Sequence, residues 1–163
     1  MRTDHEELIL RNSALTARAC WTLSRACADG GDGSPALLPH FVIAGGILFH
    51  QATVAKISKM HFESGLLKAI TDQPEMLAGL QGRMEENVST IIVGLQVAAA
   101  AGLLLREATP RGPSFRALGT TLPIEIRELH GQGGDILAAS RRLGRWFSDD
   151  PLEVIAYRLR VEF

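Results

Sequence analysis

A long uncharged helical segment followed at once by a short β-hairpin limits the folds open to this chain of 163 residues. Residues 88–102, VSTIIVGLQVAAAAG, contain no charged side chain, and their apolar residues predict a helix that ends near Gly102. Residues 103–118 then predict a hairpin with the strands Leu103–Glu107 and Ser114–Leu118. We expect the two prolines of the tip, Thr109–Pro113, to stay outside the ladder of hydrogen bonds. A helix followed by such a wing is the outline of a winged helix.

The rest of the chain is predominantly helical in pattern. The expected helices and their caps, taken from apolar spacing and from turn residues, are Asn12–Ala28 capped by Asn12 or Ser13, Leu38–Phe49, Ser64–Thr71, Pro74–Glu86, Ser89–Ala101 capped by Asn87 or Ser89, a helix from Asp135 through Phe147, and a short last helix from Asp150-Pro151. Two glycine-rich stretches, residues 28–35 and 131–135, are expected to be loops. No helix or strand is predicted for residues 50–59. The prediction is a mostly α single domain over residues 1–163, with a winged-helix-like core and flanking N- and C-terminal helices.

The segment Leu38–Phe49 is apolar all round, which predicts burial on every side. Gly45 and Gly46 lie inside it, and their small size would let a second helix, of this chain or of another copy, approach closely. A membrane-spanning helix needs about 20 apolar residues, so we expect a buried core helix instead. With an acidic, polar N-terminus, the chain is expected to be soluble and cytoplasmic. Cys20 and Cys27 are expected to be buried thiols.

The charge balance disfavours a protein whose main ligand is nucleic acid. Lys and Arg number 17 against 18 Asp and Glu, whereas DNA-binding domains usually carry a basic surplus. The helix at residues 88–102 would be the recognition helix of a winged helix, yet it offers no cation to phosphates or guanines. We therefore expect that helix to be buried.

Two sets of side chains remain candidates for binding a partner. In the wing, Arg106, Arg111 and Arg116 could contact phosphates and Phe115 could wedge against a partner; alternatively, the edge is merely solvated and Phe115 packs inward. Near the C-terminus lies the only concentration of basic residues, Arg141, Arg142, Arg145, Arg158 and Arg160. That cluster is either a docking patch for an acidic surface or nucleic-acid backbone, or an ordinary solvated helix face.

No pattern of residues predicts catalysis. The five histidines lack metal-ligand spacing, and the glycine-rich stretches match neither dinucleotide nor phosphate-loop signatures. No nucleophile elbow or pair of closely spaced cysteines is present. We predict no catalytic, cofactor or metal site. An enzyme that acts on a small molecule is therefore the hypothesis with the least support.

Several short motifs in order along residues 10–162 resemble the middle component of bacterial three-component ABC-ATPase systems, a family linked to conflict with invading DNA. The residues that carry the resemblance are Arg11-Asn12-Ser13 with Ala14, Leu15 and Trp21; His50 and Thr53 in GGILFHQAT; Gln73-Pro74-Glu75; Gly102-Leu103-Leu104; and Leu143-Gly144-Arg145-Trp146-Phe147. Two positions depart from the pattern, because Ser13 replaces a proline and Val54 replaces the usual basic residue.

The resemblance implies a non-catalytic subunit without a cofactor. It would be encoded between an ABC ATPase of the chromosome-maintenance type and a third, variable component. By analogy with winged-helix accessory subunits of such ATPases, it would bridge the other two, with a homodimer as a further possibility and nucleic acid reached only through the complex. The alternative function is a winged-helix DNA-binding transcriptional regulator, whose binding would fall steeply with salt.

Overall fold

The structure, a computed structural model, describes residues 12–120 and 132–163. Within these ranges the elements, in chain order, are α1 (Ser13–Gly30), β1 (Ala36–Leu37), α2 (Leu38–Leu48), α3 (Gln51–Ile57), a 3-10 turn (Phe62–Ser64), α4 (Gly65–Asp72), a second 3-10 turn (Pro74–Leu77), α5 (Leu80–Ala100), β2 (Leu104–Thr109), β3 (Gly112–Ala117), α6 (Gln132–Phe147) and α7 (Leu152–Leu159). The prediction of a mostly α chain with one hairpin is confirmed.

Helix α1 is central to the packing. Its N-terminus is capped by Asn12, whose Oδ1 accepts a hydrogen bond of 3.0 Å from the backbone N–H of Leu15. The helix packs against α6 on one side, against α5 on another and against β3. Twelve of its residues are buried, so this helix has little surface left for solvent.

Helix α2 is buried almost all round, as its uniform apolarity predicts. Its two glycines let α5 come close: a Cβ atom at Gly45 would lie 2.6 Å from Ile91, and one at Gly46 would lie 2.7 Å from Met84. Neither approach leaves room for a methyl group. The close helix approach expected at these glycines therefore occurs inside the chain.

Helix α5 is one continuous helix of 21 residues, so the predicted division at Asn87 or Ser89 is wrong. Asn87 does not cap a new helix; its Nδ2 donates 2.7 Å to the carbonyl of Arg83, one turn earlier. Pro74 starts only a short 3-10 turn, and Gly79, with φ of 68°, precedes α5. The C-terminus follows the prediction, because Gly102 has φ of 74° and Leu103 N donates 2.9 Å to the carbonyl of Ala98.

The three strands form an antiparallel sheet in the order β1-β3-β2. Strands β2 and β3 are joined by a two-residue turn, Pro110-Arg111, with Thr109 opposite Gly112. The prediction for Pro113 is wrong, since it lies within β3 opposite Ala108. A proline is tolerated at a ladder position that needs no N–H donor. Strand β1, only two residues long, was not predicted.

Helices α1 and α6 extend beyond their predicted limits by two residues or more, and helix α3 was not predicted. Helix α3 occupies residues left unassigned by the sequence, and its Thr53, Val54 and Ile57 are buried. Helix α6 begins at Gln132, so Asp135 lies in its first turn rather than at its cap. Helix α1 continues to Gly30, which shortens the expected 28–35 loop. Among the described helices, none alone is long and apolar enough to cross a membrane, although α2 and α3 meet that length and composition together as a pair bent by 103°.

Candidate partner-binding surfaces

Helix α5 presents one buried face and one open face. Ile91, Gly94, Leu95 and Ala98 are buried against α1 and α2. The open face, which we call the α5 face, consists of Ser89, Ile92, Val93, Gln96 and Ala100. Its two large side chains are 39% (Ile92) and 47% (Val93) exposed. The expectation that the whole segment is buried is therefore wrong: the helix is one-sided, and its outer side is uncharged and partly apolar.

The three wing arginines differ in how far their charge is already matched. Arg111, in the turn, forms an ion pair with Glu153 in the first turn of α7. Arg116 Nε lies 2.9 Å from a carboxylate oxygen of Glu107 across the hairpin. Arg106 is exposed and forms no ion pair within the described residues. Two of the three candidate cations are thus neutralised by neighbours.

Phe115 lies in the hydrophobic core rather than on the wing surface. Its side chain is 6% exposed, and its ring meets that of Phe41 edge-on with centroids 5.5 Å apart. Its carbonyl oxygen accepts a hydrogen bond of 2.8 Å from Ser24 Oγ of α1. The sequence left two interpretations of Phe115 open, and the structure supports the one in which its side chain packs inward.

The C-terminal arginines do not present a common basic face. Arg142 Nη1 donates to the Ala138 carbonyl at 2.9 Å, and its guanidinium lies 4.7 Å from the centre of the Phe62 ring. Burial lowers the pKa of Arg142, with a smaller contribution from the charge of Arg141. Arg145 Nη1 donates to Asp149 Oδ1 at 2.6 Å and to the Gly30 carbonyl at 3.2 Å.

The remaining members of this cluster lie farther out. Arg158 is paired with Asp150, and Arg141 and Arg160 are exposed. Arg160 follows α7 with a left-handed φ of 56°. Arg142, Arg145 and Arg158 bind partners within the chain. Most of the basic cluster seen in the sequence therefore does not form an open basic surface.

No group of three metal-binding side chains occurs in the part of the chain that the structure describes. Burial favours the neutral forms of three buried side chains, His40, Cys20 and Cys27. Burial lowers the pKa of His40 to about 4, and its Nδ1 accepts a hydrogen bond of 3.0 Å from Leu37 N–H, which requires that nitrogen to be unprotonated. Burial also raises the pKa of Cys20 to about 12 and, with a smaller effect from Asp32, that of Cys27 to about 11. Both cysteines are buried free thiols, as expected.

A cavity of about 820 Å³ opens between the hairpin turn, the segment before β1 and the junction of α6 with α7. His40, Asp32 and Arg111 contribute to its lining, together with apolar side chains such as Phe147 and Leu152. Two further carboxylates in the lining, Asp149 and Asp150, are already paired with arginines. Cys27 also lines the cavity, and burial favours the neutral forms of both its thiol and the His40 imidazole.

Comparison with known families decides the relationship. Residues 1–163, the whole chain, match the family described as ABC-three component (ABC-3C) system Middle Component 3. The chain belongs to this family. Searches of curated proteins and of solved structures give no significant match. The relationship inferred from the short sequence motifs is thereby confirmed at the level of the family.

In this Middle Component 3 chain, the motif residues of the N-terminal half act at helix starts. Asn12 caps α1, whereas Arg11 lies outside the described residues. His50 immediately precedes α3, and its Nδ1 lies 2.7 Å from Oγ1 of the buried Thr53, within hydrogen-bond distance. The His-x-x-Thr spacing therefore joins the residue before α3 to the first turn of that helix.

The Leu-Gly-x-Trp-Phe motif of Middle Component 3 is a packing device in α6. A Cβ atom at Gly144 would lie 2.4 Å from the carbonyl oxygen of Leu23, so only glycine permits the observed contact with α1. Trp146 is fully buried, and its Nε1 donates 2.9 Å to the carbonyl of Phe62. These residues hold the fold together and are not free to contact a partner.

Two features escaped the sequence-based prediction. The exposure of Ile92 and Val93 could have been found from the helical phase, because Ile91, Gly94, Leu95 and Ala98 recur at the spacing of one face. The other is Arg83, whose guanidinium donates to the carbonyls of Gly46 at 2.8 Å and Met76 at 2.9 Å. No local sequence pattern predicts this role of Arg83, since its acceptors are backbone carbonyls of two segments, α2 and residues 76–78.

Proposed function

We propose that this Middle Component 3 chain is a non-catalytic adaptor. It bridges an ABC ATPase of the chromosome-maintenance type and a third component, in the cytoplasm, as part of a system directed against invading DNA. It acts as a single domain over residues 1–163 with a winged-helix-like core. The order of α1, β1, α2, α5 and the β2–β3 hairpin supports that core, and family membership supports the setting.

The observation that carries the adaptor role is the uncharged, open α5 face. Ile92 and Val93 expose apolar surface on a helix that has no cation between Arg83 and Arg106. Burying such a surface against another protein is favourable by roughly 25 cal/mol per Å², whereas a phosphate backbone would gain nothing from it. The α5 face is therefore suited to a polypeptide partner.

The adaptor proposal is tested by co-expressing this chain with the products of the genes that flank it. We expect all three to co-elute in size-exclusion chromatography. The double variant Ile92→Lys/Val93→Lys should leave the complex, because it places two charges in an apolar contact. Leu67→Lys on α4, where the leucine is 57% exposed, is the matched control and should co-elute normally. A chain that stays alone in every combination contradicts the adaptor function.

A homodimer is the second association we propose to examine, since the α5 face could also meet a second copy. Light scattering of the isolated chain across concentration distinguishes the two cases. A dimer that Ile92→Lys/Val93→Lys dissociates would assign the α5 face to a second copy. A monomer at all concentrations leaves the α5 face to the companion subunits.

The alternative function is duplex DNA binding through the wing, and Arg106 is the specific observation in its favour, because its charge is unmatched within the described residues. DNA binding through the wing predicts an affinity for duplex DNA that falls steeply with salt and is lost in Arg111→Glu/Arg116→Glu. The pairing of these two arginines with Glu153 and Glu107 argues against it. Failure to bind any duplex at low salt would dispose of this alternative.

A further inference from the structure

The outer edge of β2 carries backbone N–H and C=O groups that do not point toward β3. Leu118 N donates 2.8 Å to the carbonyl of Leu103, and these two residues continue the register that places Leu105 opposite Arg116. In an antiparallel ladder, hydrogen-bonded pairs alternate with pairs that are not hydrogen-bonded. Leu103, Leu105, Glu107 and Thr109 therefore turn their N–H and C=O groups toward β3.

It follows that the N–H and C=O groups of Leu104, Arg106 and Ala108 point away from β3. Leu104 is buried at 2% exposure, so Arg106 and Ala108 are the residues of this phase that are open to solvent. Pro113 supports this phase, because it has no N–H and lies opposite Ala108 at a position where none is needed. Ser24 Oγ supports it as well, since it reaches the carbonyl of Phe115, opposite Arg106, from the far side of β3.

Within residues 12–120 and 132–163, the sheet contains no strand beyond β2. The side chains along this edge are open, with Leu105 46% exposed and both Arg106 and Ala108 in the exposed class. Natural sheets usually protect such an edge by a covering element, a bulge or several charges. Among the described residues, this edge carries one charge without an ion-pair partner, Arg106, since Glu107 is paired with Arg116.

A second copy of this chain fits the edge poorly. Two β2 strands related by a two-fold axis at Arg106 would place that arginine opposite itself, and an axis at Glu107 would do the same for the glutamate. Like charges directly opposite each other are destabilising. An axis at Leu105 avoids this, but it places Ala108 opposite Gly102, outside the strand. The charge pattern thus favours a different chain.

We propose that the outer edge of β2 binds an extended segment of a companion subunit by strand addition, with an acidic side chain of that segment opposite Arg106. Backbone hydrogen bonds to Arg106 and Ala108 supply the attraction, and the carboxylate opposite Arg106 sets the register. This inference rests on the proposed adaptor function, because it requires a companion subunit. It adds a second contact, distinct from the α5 face.

Two pairs of variants test the edge in the full chain, using the co-expressed flanking-gene products as the binding partners. Ala108→Pro removes one outward N–H without touching the β2–β3 ladder and should weaken binding by about tenfold or more, whereas Ala108→Val should stay within about twofold. Arg106→Glu should lose about tenfold, while Arg106→Lys keeps most of the affinity. Unfolding curves of the four variants establish that each is folded.

Amide hydrogen exchange distinguishes direct strand addition from a general loss of stability, because it reports on each backbone N–H separately. In the free chain, the amides of Arg106 and Ala108 should exchange quickly, and in the complex they should become protected. The inward amides of Leu105 and Glu107 are the internal control, protected in both states.

A complex that forms with wild-type affinity in Ala108→Pro, with the outward amides still exchanging quickly, overturns the edge inference and leaves the adaptor function standing. Absence of any complex overturns both. A loss of duplex DNA affinity in Arg106→Glu, without protection of these amides, would reassign the edge to nucleic acid and also overturn the inference.

Discussion

At the scale of single residues, clearances of a few tenths of an ångström decide which positions can change. Gly144 and Gly82 are both helical glycines, but they differ completely in their surroundings. The Leu23 carbonyl closes off the space that a side chain at Gly144 would need, whereas no atom lies within 4 Å of a Cβ added at Gly82. The same substitution should therefore have opposite effects at the two sites.

Gly144→Ala should lower the free energy of unfolding by about 1–3 kcal/mol, because α6 must move away from α1 to admit the methyl group. Gly82→Ala, on the exposed side of α5, should raise it by roughly 0.5–1 kcal/mol through helix propensity. Urea denaturation followed by circular dichroism measures both. Equal effects of the two variants would contradict the contact between α6 and α1.

His40 links stability to pH through its burial. Its pKa is about 4 in the folded chain and 6.5 as an unperturbed group, so between these values the unfolded chain binds more protons. Stability should fall as the pH drops through this window, by roughly 3 kcal/mol in total.

His40→Gln should remove this contribution while keeping an acceptor for the Leu37 N–H at the start of α2. The measurement is the free energy of unfolding of both proteins at pH 7, 5.5 and 4. The difference between them should shrink or change sign on acidification, since only the wild type loses the histidine contribution. A constant difference would show that His40 is not buried as a neutral group.

At the scale of secondary structure, prediction succeeded where one local signal was sufficient. Asn12 capped its helix and Gly102 ended another, because each depends on a few neighbouring backbone groups. Prediction failed where the tertiary environment decides. Asn87 resembles a cap but lies in mid-helix, where Met84 and Ile91 bury the face on either side of it. Strand β1 is too short to have a pattern and exists only because β3 pairs with it.

Prediction of the candidate partner-binding surfaces likewise succeeded for local features and failed where tertiary contacts decide. The absence of charge on α5 was evident from composition, but which side of the helix is open depends on where α1 and α2 lie. The basic residues near the C-terminus formed a cluster in sequence, whereas Arg142 and Arg145 are used by backbone carbonyls and by Asp149. Long-range acceptors of this kind leave no trace in a local pattern.

The one-sided burial of α5 can be tested with two adjacent isoleucines. Ile91 is 3% exposed and Ile92 is 39% exposed. Ile91→Ala should cost about 2–5 kcal/mol, because it opens a cavity against α2. Ile92→Ala should cost less than about 1 kcal/mol, since it removes a side chain already partly in water. Chemical denaturation distinguishes them, and similar costs would contradict the assigned helix phase.

At the scale of the whole molecule, one core cluster joins residues from both ends of the chain. It includes Leu15 in α1, Leu66 in α4 and Val161 after α7. Because such a core unfolds cooperatively, its interior groups should become reactive only on global opening.

Cys20 provides the probe of this cooperativity. Its thiol is 3% exposed and burial raises its pKa, so in Cys27→Ser a thiol reagent at pH 8 should modify Cys20 at least about a thousandfold more slowly than in urea-unfolded chain. The rate should rise with sub-denaturing urea with the slope of global unfolding. A rapid rate that is independent of urea would mean that α1 opens locally, away from α6.

The contact between α1 and α6 also has a consequence for biosynthesis. Arg145 and Gly30, which meet in the folded chain, are 115 residues apart in sequence. At roughly 5–20 residues per second, a ribosome needs about 6–23 s to make the later partner after the earlier one. During that interval the side of α1 that packs against α6 has no native partner, whereas α5 and β3 have already been made.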